Sequence, residues 1–177
     1  HNGLGGLIDE HLDPERILVG GVRLAQLRAP GLADAAYNRL AVAVFDLCQR
    51  QGARLLLNRD PERARGLAGD GLHLSGRQLA GLRERPRDWS LVGASCHGAT
   101  DLARAADLGL DYALLSPVMP TASHPGAPYL GWERFSALAE VARLPVYALG
   151  GLGPRDLELA IDQGAQGVAA IRGLWSV

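Results

Sequence analysis

The sequence predicts an α/β fold, a compact (β/α)8 TIM barrel whose first strand is missing from the chain. Three observations predict it. Seven short apolar strands alternate with helical segments, which implies a parallel sheet under helical cover. The strands run to only about four to six residues, as barrel strands do. No G-x-G-x-x-G follows the first of them, as an open dinucleotide-binding sheet would require.

The elements follow in order. Residues 1–8 (HNGLGGLI) are Gly-rich and read as a flexible segment, so residues 9–177 form the single barrel domain. Asp9 to Gly20 reads as a short helix and Val22 to Arg28 as a strand. Asp34 caps a long amphipathic helix from Ala35 to Gln51, which Gly52 closes. Residues 53–58 (ARLLLN) are an apolar strand buried on both faces. Asp60-Pro61 starts a helix ending near Gly69. Gly71 to Leu74 is a strand, and Ser75 caps a helix to about Arg83. Ser90 to Ser95 is a strand, and Gly98 or Thr100 caps the helix Asp101 to Leu108. After the strand Asp111 to Leu115 comes a long loop with Pro117, Pro120, Pro125 and Pro128, then the helix Trp132 to Ala142. Pro145 to Leu149 is a strand, Pro154 opens a helix ending at Gly164, and Gly167 to Ile171 is the last strand. A closed barrel needs one strand more, ahead of Asp9. Its apparent absence predicts a barrel notched between its second and eighth strands.

Composition narrows the chemistry. The 177 residues are 47% hydrophobic and 21% charged with a net charge of −1, so no field draws nucleic acid or an anionic membrane. No apolar run is long enough to span a bilayer. Two cysteines, Cys48 and Cys96, are too few for a disulfide framework and fit a cytoplasmic protein. All 18 basic residues are arginine. Without lysine, Schiff-base chemistry through a side-chain amine is excluded, and any phosphate must rest on arginine, hydroxyl, imidazole or backbone amide.

In a barrel the groups that act lie at the C-terminal strand ends. Those ends carry Gln26 and Arg28, Asn58 and Arg59, His73 and Ser75, Ser95, Cys96 and His97, and Ser116, with Thr121, Ser123 and His124 in the loop beyond. The Gly150-Gly151 turn ahead of Pro154 offers free amides to a phosphate, with Ile171 and Arg172 on the neighbouring strand end. His97 and His124 are the candidates for proton transfer near neutral pH. His73 reads as a hydrogen-bonding fixture and Cys96 as a small buried hydrophobe. No His, Cys or carboxylate spacing is diagnostic of a metal, and none is expected.

Taken in order, LAQLR, LLLN, GDGLHL, VGAS, DYALLSPVMPT, PVYALGGL and GAQGVAAI resemble the thiamine-phosphate synthase and TenI family of small (β/α)8 barrels, from about Arg23 to Arg172. ASCHGATDL, SHPGAPYLGW and GVAAIRGLW look closest to a subgroup in which the barrel follows a MutT-type Nudix hydrolase domain. The resemblance implies thiamine biosynthesis, as a transferase or tautomerase taking a small phosphorylated heterocycle. It also implies, as the alternative, a non-catalytic ligand-sensing or accessory module of an upstream Nudix domain. By position it assigns Gln26 and Asn58 to the pyrimidine and pyrophosphate, Ser95 and Thr121 to substrate-holding hydroxyls, and Gly150, Gly151 and Ile171 to the thiazole phosphate. It implies magnesium too, but this chain has Arg59 and Gln78 where the family's two metal carboxylates stand. Pro30 and His124 stand where the family has lysines, and Pro117 where the tautomerase's histidine would fall.

Overall fold

The computed structural model describes residues 21–121 and 126–170, together with the backbone of residues 3–8. Eight parallel strands close into a barrel in chain order. They are β1 (Gly3–Ile8), β2 (Leu24–Leu27), β3 (Arg54–Leu57), β4 (Gly71–Leu74), β5 (Leu91–Cys96), β6 (Tyr112–Leu115), β7 (Val146–Leu149) and β8 (Gly167–Ala170). The helices are α1 (Asp34–Arg50), α2 (Pro61–Ala64), α3 (Gly76–Gly81), α4 (Ala99–Asp107), α5 (Gly131–Glu140) and α6 (Leu157–Asp162), the last preceded by a 3₁₀ turn at Pro154–Asp156.

The first strand is therefore present, and the expected notch is closed. Gly3 to Ile8, expected to be flexible, is β1, with Gly5 paired to Leu24 of β2 and Gly3 to Gly167 of β8. Glycine has low strand propensity, but here two neighbouring strands supply ladder partners, and that context outweighs propensity. The helix expected over Asp9 to Gly20 lies outside the described residues.

Residues paired in register share a face, and successive residues alternate faces. Ala25, Leu27, Leu55, Leu57, Leu72 and Leu74 face outward and are buried under the helices with Tyr37, Leu79 and Phe135. Burying each leucine stabilises the fold by about 2 kcal/mol. The inward set holds Leu56, Tyr112, Leu114 and Ala169, packed with Leu24, Leu91, Tyr147 and Leu149. Glycines make room for it. A Cβ on Gly93 would come within 2.1 Å of the Tyr112 ring, and one on Gly71 within 2.2 Å of the Leu91 carbonyl.

The lower, N-terminal ends of the strands are tied by a repeated device. Asp70, just before β4, accepts from the Leu55 amide at 2.7 Å, and Asp111, just before β6, accepts from the Val92 amide at 2.7 Å. Arg85 fixes Asp111 at 2.5 Å while donating to the carbonyls of Gly109, Trp89 and Ser90.

Helix starts follow the expected chemistry in part. Asp60 accepts from the Glu62 and Arg63 amides, and Ser75 and Gln78 form a capping box. Asp34, by contrast, does not cap α1, whose N-cap is Ala33. Its carboxylate is taken instead by Arg59 and Arg63. The helix after Pro61 stops at Ala64 rather than near Gly69, and α3 stops at Gly81 rather than Arg83.

Candidate functional site

At the C-terminal mouth, the inward alternation brings side chains from separate strands together. His73 of β4 is fully buried. Its Nδ1 lies 2.8 Å from the Tyr112 hydroxyl of β6 and its Nε2 lies 2.9 Å from Ser95 Oγ of β5. Burial without a charged partner pushes the His73 pKa down to about 3, so the ring is neutral. Burial likewise keeps the Tyr112 phenol protonated. His73 is the fixture its position suggested. Its backbone carbonyl also accepts from Asn58 Nδ2 at 3.0 Å, which leaves Asn58 Oδ1 as the acceptor that residue can offer. Gln26 sits at the inward position beside Leu56, only 7% exposed, and its amide has no hydrogen-bond partner among the described residues. Arg28 is exposed on the rim.

His97, just past β5, is exposed. Its Nδ1 lies 2.9 Å from the Ser116 carbonyl, and its backbone amide donates to Asp101 at 2.8 Å. A carbonyl can only accept, so in the neutral ring Nδ1 carries the hydrogen and Nε2 keeps its lone pair. The Nε2 edge lies close to Gly76, where a Cβ would be 3.5 Å away. Ser116 and Thr121 are half-buried at the start of the loop. Ser123, His124, Ile171 and Arg172 lie outside the described residues.

The magnesium implied by the resemblance does not fit the residues present. Arg59 lies with its guanidinium 4.1 Å above the Tyr37 ring, paired to Asp34, and its side chain is 9% exposed. Gln78 Oε1 accepts from both the amide and the hydroxyl of Ser75 at 2.8 Å. Neither position offers a carboxylate, and both side chains are committed to structural contacts. Among the described residues no group of three or more His, Cys, Asp or Glu gathers into a metal site. Cys96 faces the helices, and burial pushes its thiol up to about 12.

The Gly150-Gly151 turn has φ of 102° and 70°, and the loop after β6 packs against it. A Cβ on Gly150 would meet Pro117 Cα at 2.8 Å, and one on Gly151 the Pro120 carbonyl at 2.5 Å. Val118 and Met119 amides donate to the Leu149 and Gly150 carbonyls. Among the described residues no carbonyl accepts from the amides of Gly150, Gly151 or Leu152. The helix expected to open at Pro154 begins as the 3₁₀ turn, and Asp156 already holds the Gly153 amide at 2.8 Å.

Sequence reasoning missed Tyr112. Its signal was the period-two alternation on three adjacent strands, which puts His73, Gly93, Ser95 and Tyr112 on one inner face.

The fold and mouth define a small βα barrel, strands inside and helices outside, with a polar rim. Residues 12–174 match the family model described as thiamine monophosphate synthase, and the chain belongs to that family. It is 38% identical over 161 residues to a putative thiamine-phosphate synthase of Geobacter sulfurreducens, covering 89% of this chain and 75% of the relative. It is 34% identical to putative thiamine-phosphate synthase 2 of Aquifex aeolicus, over 89% of this chain and 85% of that one. Among solved structures, thiamine phosphate pyrophosphorylase from Pyrococcus furiosus superposes with a TM-score of 0.80 at 20% identity, covering 97% of this chain and 86% of that chain. That likeness supports the barrel fold.

Proposed function

We propose that the barrel binds a phosphorylated thiazole or pyrimidine, a thiamine-related ligand, at its C-terminal mouth and serves thiamine biosynthesis. The observation that carries this reading is the Gly150-Gly151 turn, whose amides are without acceptors among the described residues. Such amides suit a phosphate. Gln26, Asn58 and Ser95 then surround the heterocycle, with Arg28, Ser116 and Thr121 on the rim, while Ser123, Ile171 and Arg172 remain ligand candidates on the sequence alone. In a transferase or tautomerase, His97 moves the proton through Nε2, and His124 is the second candidate on the sequence alone. Family membership and the names of the relatives support the ligand class.

Isothermal titration with thiazole phosphate, thiamine phosphate and unphosphorylated thiamine tests the assignment. The phosphorylated ligands should bind, with affinity unchanged by a magnesium chelator, because Arg59 and Gln78 stand at the two carboxylate positions and no cluster of metal-ligating side chains forms among the described residues. Equal binding of thiamine and thiamine phosphate would refute the phosphate site.

A second reading is favoured by Arg59 and Gln78, which are held by Asp34 and Ser75. In it the barrel is a non-catalytic accessory module of a MutT-type Nudix hydrolase. Turnover of pyrimidine pyrophosphate and thiazole phosphate in the presence of magnesium would exclude that reading.

A further inference from the structure

We propose that His73 and Tyr112 are positioning residues that turn the hydroxyl hydrogen of Ser95 out into the mouth, so that Ser95 meets the ligand as a fixed donor. A neutral imidazole has one N–H, and two hydroxyls flank it at 2.8 and 2.9 Å. Only two hydrogen arrangements satisfy both contacts. In one, Nδ1–H donates to Tyr112 and Ser95 donates to Nε2. The Tyr112 hydrogen then has no acceptor among the described residues, although that side chain is 4% exposed and packed by Tyr147 and Gly93. In the other, Tyr112 donates to Nδ1, Nε2–H donates to Ser95 Oγ, and the remaining Ser95 hydrogen lies on a half-buried side chain at the strand end. The second arrangement leaves no buried donor unpaired, so it prevails.

The consequence is chemical. Ser95 offers a hydrogen, and Asn58, fixed by the carbonyl of the same His73, offers Oδ1 as an acceptor. The ligand atom at Ser95 must then be an acceptor, a ring nitrogen without hydrogen or an anionic oxygen. The ligand half of this statement rests on the function proposed above, whereas the hydrogen order within the protein does not.

Long-range ¹H–¹⁵N spectra of the full chain read the order directly. The His73 ring should show hydrogen on Nε2, and an Nδ1–H ring would overturn the proposal. Tyr112→Phe removes the donor that fixes Nδ1 as the acceptor, so either tautomer then leaves one ring nitrogen unpaired and Ser95 is no longer held to a single hydrogen order. Thiamine phosphate should then bind about tenfold more weakly. Ser95→Ala should lose about as much, and the double variant no more than either. Losses that multiply in the double variant would also overturn the proposal. If wild-type protein binds no thiamine phosphate, the proposed function fails, and the ring tautomer alone decides the positioning role.

Discussion

The ring of Tyr112 lies across Gly93 of the neighbouring strand, where a Cβ would come within 2.1 Å of ring carbons. Glycine at 93 is therefore a packing requirement of the barrel interior rather than a turn device. Gly93→Ala should destabilise the protein by about 3 kcal/mol, because the fully flanked ring has nowhere to retreat. Tyr112→Leu in the same chain should recover part of that loss. Urea denaturation of the single and paired variants measures both. Additive losses would mean that the two residues do not compete for one space.

Stability should depend on pH through His73. Its pKa is held at about 3 in the fold, against 6.5 for the free side chain. Between those values the unfolded chain carries a proton that the folded protein lacks, so stability rises with pH across this window. The contribution is complete above pH about 6.5 and is lost progressively as pH falls toward 3. The slope can reach about 1.4 kcal/mol per pH unit. Urea midpoints at pH 7.5, 6 and 5 should fall faster for wild-type protein than for His73→Gln. Parallel curves would remove His73 as the cause.

Arg85 should matter out of proportion to its place on the surface. One guanidinium donates to three carbonyls and to Asp111, which in turn holds the Val92 amide. Arg85→Ala should cost about 2–3 kcal/mol. Arg85→Lys should recover little, since an ammonium cannot reproduce the planar fork. Thermal unfolding of the two variants distinguishes this from a simple loss of charge.

Two glycines with similar backbone angles should respond differently to alanine. Gly52 has φ of 65° and open space around it, whereas Gly151 has φ of 70° and faces the Pro120 carbonyl at 2.5 Å. Gly52→Ala should cost about 1 kcal/mol from conformation alone. Gly151→Ala should additionally displace the loop and abolish thiamine phosphate binding. Gly151→Asp should lose binding no more completely than Gly151→Ala, since any side chain there collides before its charge acts.

Much of this was legible in the chain. Strands β2 to β8 announced themselves through apolar runs, and Asp60 and Ser75 marked helix starts that the structure keeps. His73 read correctly as a fixture. The first strand did not, because GLGGLI owes its strand character to partners on both sides rather than to its own residues. Asp34 looked like a cap, yet distant arginines claimed its carboxylate. The Tyr112–His73–Ser95 contact was hidden because it depends on the register of three adjacent strands, which alternation within each strand does not give.

The parallel order of the strands has a topological consequence. Polypeptide enters β1 at Gly3, on the face where Asp70 and Asp111 tie the strands, and the rim of Asn58 and Ser95 lies on the opposite face. The chain at that entry is therefore separated from the rim by the full length of the strands, and a change there can reach the mouth only through the barrel itself.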